Sequence, residues 1–113
     1  MTTTEANWIQ LAPGVQRQTA AVGQRMMQVV VHFDKGAKTP EHSHVHEQIT
    51  AVLSGRMRFT VAGKVTDVAD GKSILLDSNV PHAAEALEES FIIDTFSPIR
   101  EDLLAQDSAA RQR

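Results

Sequence analysis

The stretch RMRFTVAGKVTDV, residues 56–68, alternates polar and apolar side chains. Met57, Phe59 and Val61 fall on one side, and Arg56, Arg58 and Thr60 on the other. A repeat of two is that of an extended strand with one buried face, because successive side chains point to opposite sides of the pleat. Ala62-Gly63 then suits a tight hairpin turn, so the chain is expected to return as a second strand around 64–68. Working outward, glycines at 14, 23, 36, 55, 63 and 71 and prolines at 13, 40, 81 and 98 cut most of the chain into segments too short for ordinary helices. Further strands are expected at 15–22, 26–33, 42–53, 72–76, 82–87 and 90–96. Many short strands at near-regular spacing predict an all-β sandwich or barrel.

The end of the chain breaks this pattern. In SPIREDLLAQ (97–106), Ser97 can cap a helix, Pro98 suits its first turn, and Ile99, Leu103 and Leu104 recur at helical spacing. A short C-terminal helix is expected over about 98–106, with the polar residues 107–113 frayed. The reading is a single domain spanning 1–113, with its barrel core at about 15–96.

Composition narrows the function classes. Fourteen acidic residues against 11 basic ones give a net charge of −3 without a basic stripe, so nucleic acid is not an expected partner. No cysteine is present, which excludes disulfides and thiolate metal sites and fits the cytoplasm. The opening MTTTEANWIQ lacks the basic and apolar regions of a signal peptide. The longest apolar run, VVV at 29–31, is far too short to cross a bilayer, so no membrane is expected.

Three of the five histidines stand within EHSHVHEQ, residues 41–48. On an extended strand His42, His44, His46 and Gln48 would share a face, with alternate positions about 7 Å apart. Two such imidazoles can meet one divalent ion, and a further ligand must come from elsewhere. His82, just after Pro81 at the start of another expected strand, is the candidate. A second informative stretch is SFIIDTF, residues 90–96. Ile92, Asp94 and Phe96 share one face of that strand, and Phe91, Ile93 and Thr95 the other. An acid between apolar residues on a buried face is costly unless it is paired or used, so Asp94 reads as an interior carboxylate able to exchange protons.

With both stretches in view, the chain resembles the cupins. GAKTPEHSHVHEQ (36–48) is similar to the first cupin motif, and GKSILLDSNVPH (71–82) to the second. The resemblance implies a double-stranded β-helix, or jelly-roll barrel, that holds a metal ion in its lumen through His42, His44, Gln48 and His82. Gln48 stands where cupins usually carry glutamate. An amide brings no charge, so the ion would keep its full charge and act as a Lewis acid toward substrate oxygen. His46 is not a ligand in that pattern and is expected behind the ligands, facing substrate or solvated. Asp77, Asn79 and Ala86 depart from the second motif in ways that concern turn shape and packing. Nickel, iron, manganese, zinc and copper all suit such a donor set.

The tail Asp94-x-Phe96-x-Pro98-x-Arg100-x-Asp102-Leu103, taken with HSHVHEQ, resembles the pectin-degradation cupins of the KdgF type. That resemblance implies an enzyme that ketonises 4,5-unsaturated uronates, with Asp94, Phe96 and Arg100 as active-site residues. Arg17, in the weaker match GVQR (14–17), is expected either behind the ligands or facing substrate. Two alternatives stand beside it. One is a cupin-type metal dioxygenase, which oxygen uptake would reveal. The other is a non-catalytic cupin that binds metal or a sugar acid, which ligand-induced stabilisation without turnover would reveal. The resemblance also implies a homodimer, and Trp8, Ile9 and Leu11 are apolar residues in need of cover.

Overall fold

The computed structural model describes residues 7–111. Among these residues the chain forms ten strands and one helix. In order they are β1 (Ile9–Ala12), β2 (Val15–Val22), β3 (Met27–Phe33), β4 (Lys38–His42), β5 (Glu47–Ser54), β6 (Arg56–Val61), β7 (Lys64–Ala69), β8 (Ser73–Leu76), β9 (His82–Ala86), β10 (Ser90–Ser97) and α1 (Glu101–Arg111). The strands pair antiparallel in two sheets, one ordered β1-β2-β3-β10-β5-β8 and the other β4-β9-β6-β7. The alternating segments predicted a sandwich or barrel, and the two sheets form the jelly-roll barrel that the cupin resemblance implied.

The hairpin at 62–63 shows how local chemistry sets the register. Ala62 and Gly63 both adopt positive φ, 48° and 81°, and Val61 pairs with Lys64 across the turn. The two-residue turn leaves Met57, Phe59 and Val68 on the inner face. The larger sheet answers with Val29, Val31, Val52 and Ile92. Each such side chain, fully buried, contributes roughly 1.5–3 kcal/mol against exposure to water. Gly55 marks a close approach. At φ +99°, a Cβ there would lie 2.3 Å from both the Glu89 carbonyl and Ser90 Oγ.

Three sequence expectations change. The segment 42–53 is not one strand. β4 ends at His42, the chain turns through 43–46, and β5 begins at Glu47 in the other sheet. The helix begins at Glu101 and reaches Arg111 instead of occupying about 98–106. Ser97 does not cap it; its hydroxyl donates to the Arg25 carbonyl at 2.7 Å. The first helical turn instead closes on the Arg100 carbonyl, which accepts from the Leu103 and Leu104 amides. The supposedly frayed stretch from 107 onward is helical through Arg111, and Asp107 is buried; residues 112–113 lie outside the described part. A strand at β1 had no strong alternation to announce it. Among the described residues no helix is long and apolar enough to cross a membrane.

Candidate functional site

The histidines converge because two neighbouring strands of one sheet and the turn that follows bring them together, not because they share one strand's face. His42 is the last residue of β4 and pairs in register with His82, the first of β9. His44 folds back from the 43–46 turn. The ring centroids lie 4.4 Å apart for His42 and His82, 5.0 Å for His44 and His82, and 5.7 Å for His42 and His44. The turn is braced by the second motif. The Asn79 amide donates to the His44 carbonyl at 2.7 Å, and Ser78 Oγ donates to the Val45 carbonyl. Asn79 has φ of 64°, a conformation that asparagine tolerates better than most residues, so it suits this turn.

Each of the three rings is oriented by a backbone carbonyl. Nδ1 of His42 lies 2.9 Å from Pro40 O, that of His44 3.0 Å from His46 O, and that of His82 3.0 Å from Val80 O. A carbonyl can only accept, so each Nδ1 carries the proton and each Nε2 keeps a lone pair. One candidate ligand atom from each ring lies within 4.8 Å of those of the other two. Nε2 of His82 is buried with no hydrogen-bond partner. A buried acceptor left alone is costly, and a metal ion is the group that such a set of lone pairs would satisfy. Burial drives the His44 pKa down to about 4, with the Arg100 cation helping, and burial likewise lowers that of His82. Both rings are therefore neutral at pH 7, as a metal ligand requires.

Gln48 enters from β5 and is buried. Its Oε1 lies 3.1 Å from His44 Nε2, about the separation of two donors that each stand about 2.1 Å from one ion. Its Nε2 donates to Thr50 Oγ1 at 2.9 Å, and Thr50 donates in turn to Asp94 Oδ1 at 2.6 Å. Strand register makes this line possible. Gln48 and Thr50 on β5 stand opposite Phe96 and Asp94 on β10. Burial raises the Asp94 pKa to about 6 even though Thr50, Gln48 and Arg100 pull the other way. The carboxyl is thus poised near neutrality, where a proton-transfer group works best. Thr50 escaped the sequence reading, although it shares Gln48's parity on the same strand.

A cavity of about 260 Å³ gathers these groups, with His42, His82, Gln48, Asp94, Phe96 and Arg100 in its wall. The Arg100 guanidinium carbon lies 4.9 Å from the Phe96 ring centroid. His46 stays outside the three-histidine cluster. It is half-buried, its ring 5.4 Å from that of His44, and its carbonyl orients the His44 ring. Arg17 also stands in the cavity wall, but it is fully buried and its guanidinium is engaged by the protein. Nη1 pairs with Asp107 Oδ1 at 3.1 Å, and Nη2 donates to the Leu103 carbonyl at 2.9 Å and to Gln106 Oε1 at 3.0 Å. It anchors α1 against β2, and no feature of the polar tail signalled Asp107 as its partner.

Residues 29–93 match the cupin domain family.

This chain is a cupin.

Its relatives narrow the comparison. The pectin degradation protein KdgF of Dickeya dadantii (strain 3937) is 36% identical over 102 residues, which cover 88% of this cupin and 93% of that protein. The structure of KdgF from Halomonas sp. superposes with a TM-score of 0.82 at 36% identity, covering 88% of this cupin and 92% of that chain. An RmlC-like cupin from Shewanella frigidimarina NCIMB 400 gives the same TM-score of 0.82 at 32% identity, over 88% and 89% of the two chains.

Proposed function

We propose that this cupin is a metal-dependent enzyme that converts 4,5-unsaturated uronates, products of pectin and alginate breakdown, into linear keto sugars by ring opening and tautomerisation. The observation that carries the reading is one cavity whose wall combines His42, His82 and Gln48 with Asp94 and Arg100. Such a substrate brings a carboxylate, a row of oxygens and a C4=C5 double bond, and each has a complement there. Similarity to proteins named KdgF supports the same substrate class.

His42, His44, His82 and Gln48 would hold a divalent ion, nickel, iron, manganese, zinc or copper by donor type. When bound, that ion supplies Lewis acidity toward substrate oxygen. Arg100 binds the uronate carboxylate, for which a planar guanidinium is suited. Asp94 holds and moves the proton. The isomerisation is proton-neutral, one proton leaving oxygen and one arriving at carbon, and a carboxyl poised near pH 6 can do both. Thr50 keeps the carboxylate oriented, and Phe96 walls the cavity and supports Arg100.

The deciding experiment mixes metal-loaded protein with freshly prepared unsaturated uronate and follows loss of the double-bond absorbance. Acceleration over buffer is expected; none, with metal confirmed in place, sinks the reading. The ligand set has its own test, metal content per chain after dialysis. Alanine at His42, His44 or His82 should abolish retention, whereas His46→Ala should keep it. Acidification toward pH 4 should release the ion, because His44 then becomes protonated.

We also assign a homodimer and a cytoplasmic location. The dimer is supported by β1, a sheet-edge strand flanked by the exposed side chains of Trp8 and Leu11. Sedimentation of an apparent monomer at micromolar concentration would remove that assignment. The cytoplasm is supported by the absence of cysteine.

A further inference from the structure

A guanidinium offers a ligand two edges and a face. In Arg100 the face lies against Phe96. One edge is closed by Asp102, with Nε donating to Oδ1 at 3.0 Å and Nη2 to Oδ2 at 2.8 Å. Nη1 and the second hydrogen of Nη2 take no part in that pair, and the edge they form is the fork left for an incoming carboxylate. Arg100 and Asp102 both line the cavity that holds His42, His82 and Asp94.

Asp102 is itself restrained. It stands in the first turn of α1, where backbone amides favour a carboxylate. The helix is held in turn by the buried Arg17–Asp107 pair. Restraint thus passes from Asp107 through the helix to Asp102, and from Asp102 to Arg100.

We propose that Asp102 is a positioning residue for carboxylate recognition: it clamps one edge of Arg100 and holds the other ready for a sugar acid. The proposal rests on the uronate reading above. Its physical basis is entropic. A free arginine must give up rotamer freedom on binding, and one already clamped has given it up during folding.

Asp102→Asn tests it, because asparagine matches aspartate in size and is accepted at helix starts but cannot pair with arginine as an anion. With the metal-loaded protein, KM for the unsaturated uronate should rise about five- to tenfold with kcat changed by no more than about twofold. The unfolding midpoint should stay close to wild type. The Arg100 Nε–H resonance, protected in the wild type, should exchange rapidly in the variant. Asp102→Ser, also a good helix-start residue, replaces the first variant should it fail to fold.

Titration with D-galacturonate, beside neutral D-galactose as control, separates this proposal from the reaction. Galacturonate binding should weaken by the same factor, and any galactose binding should not change. Weaker galacturonate binding by a variant of a wild type that shows no turnover leaves Asp102 in its role and removes only the reaction. A fall in KM would make Asp102 a competitor of substrate and overturn the proposal. Unchanged KM and galacturonate affinity overturn it as well, as does a wild type that binds galacturonate no better than galactose.

Discussion

Asp94→Asn will slow turnover of the unsaturated uronate by about 10²–10⁴-fold, the usual worth of a positioned acid–base group. The same substitution will stabilise the metal-free protein at pH 7. The reason lies in where the carboxyl sits. Burial raises its pKa from 3.8 to about 6 in the folded state. Between those two values the folded protein binds more protons than the unfolded chain, so stability falls as pH rises through that window. Above it the whole penalty is present. At roughly 1.4 kcal/mol per unit, the penalty is at most about 3 kcal/mol. Asparagine cannot ionise, and its amide oxygen can still accept from Thr50. We therefore expect a gain of about 1–3 kcal/mol in urea unfolding at pH 7, shrinking toward zero near pH 4. A variant equally stable relative to wild type at both pH values would show that burial does not strain this carboxyl. A variant with full activity would remove Asp94 as proton carrier.

Arg17→Met will cost about 3–5 kcal/mol of folding stability, the usual result of leaving one charge of a buried pair without its partner. Both side chains are buried almost completely, at 1% and 2% exposure. Without Arg17, the Asp107 carboxylate keeps Thr19 as a donor but loses its counter-ion, and the Leu103 carbonyl and Gln106 lose a donor. The double variant Arg17→Met/Asp107→Leu should recover most of the loss, because apolar groups of similar size replace the pair without stranding a charge. Denaturant unfolding of the three proteins measures this directly. A loss below about 1 kcal/mol in the single variant would mean that the apolar contacts of Leu103 hold α1 by themselves. The effect should reach the cavity, because α1 carries Asp102, Leu103 and Gln106 in its wall.

The two predictions share a theme. The interior of this small barrel is not uniformly apolar; Arg17, Thr19, Gln48, Thr50, His82, Asp94 and Asp107 are all buried. All but His82 belong to two hydrogen-bonded groups. One runs from Gln48 through Thr50 to Asp94, and the other ties the helix to β2.

Sequence alone determined the strand class, and for a simple reason. Alternation is a local signal, so 15–22, 56–61 and 90–96 could be read without knowing their neighbours. The inner faces carrying Met57, Phe59, Ile92, Asp94 and Phe96 followed from parity, and the structure buries each of them. The three histidines of the candidate metal cluster were legible as well, but through the resemblance of 36–48 and 71–82 to the cupin motifs, since spacing alone left His46 as eligible as His42 and His44. Parity misled where the chain turns. His42, His44 and His46 alternate in sequence, but the strand ends at His42, and a turn braced by Ser78 and Asn79 decides which rings meet. Tertiary structure alone decided what crosses between elements. The pairing of His42 with His82, the bridge through Thr50 to Asp94 and the burial of Asp107 under Arg17 all join residues far apart in the chain. Local propensity carries no information about such pairs. They are selected when two sheets and a helix close on one lumen, and there each buried polar atom must find a partner or pay its full desolvation cost.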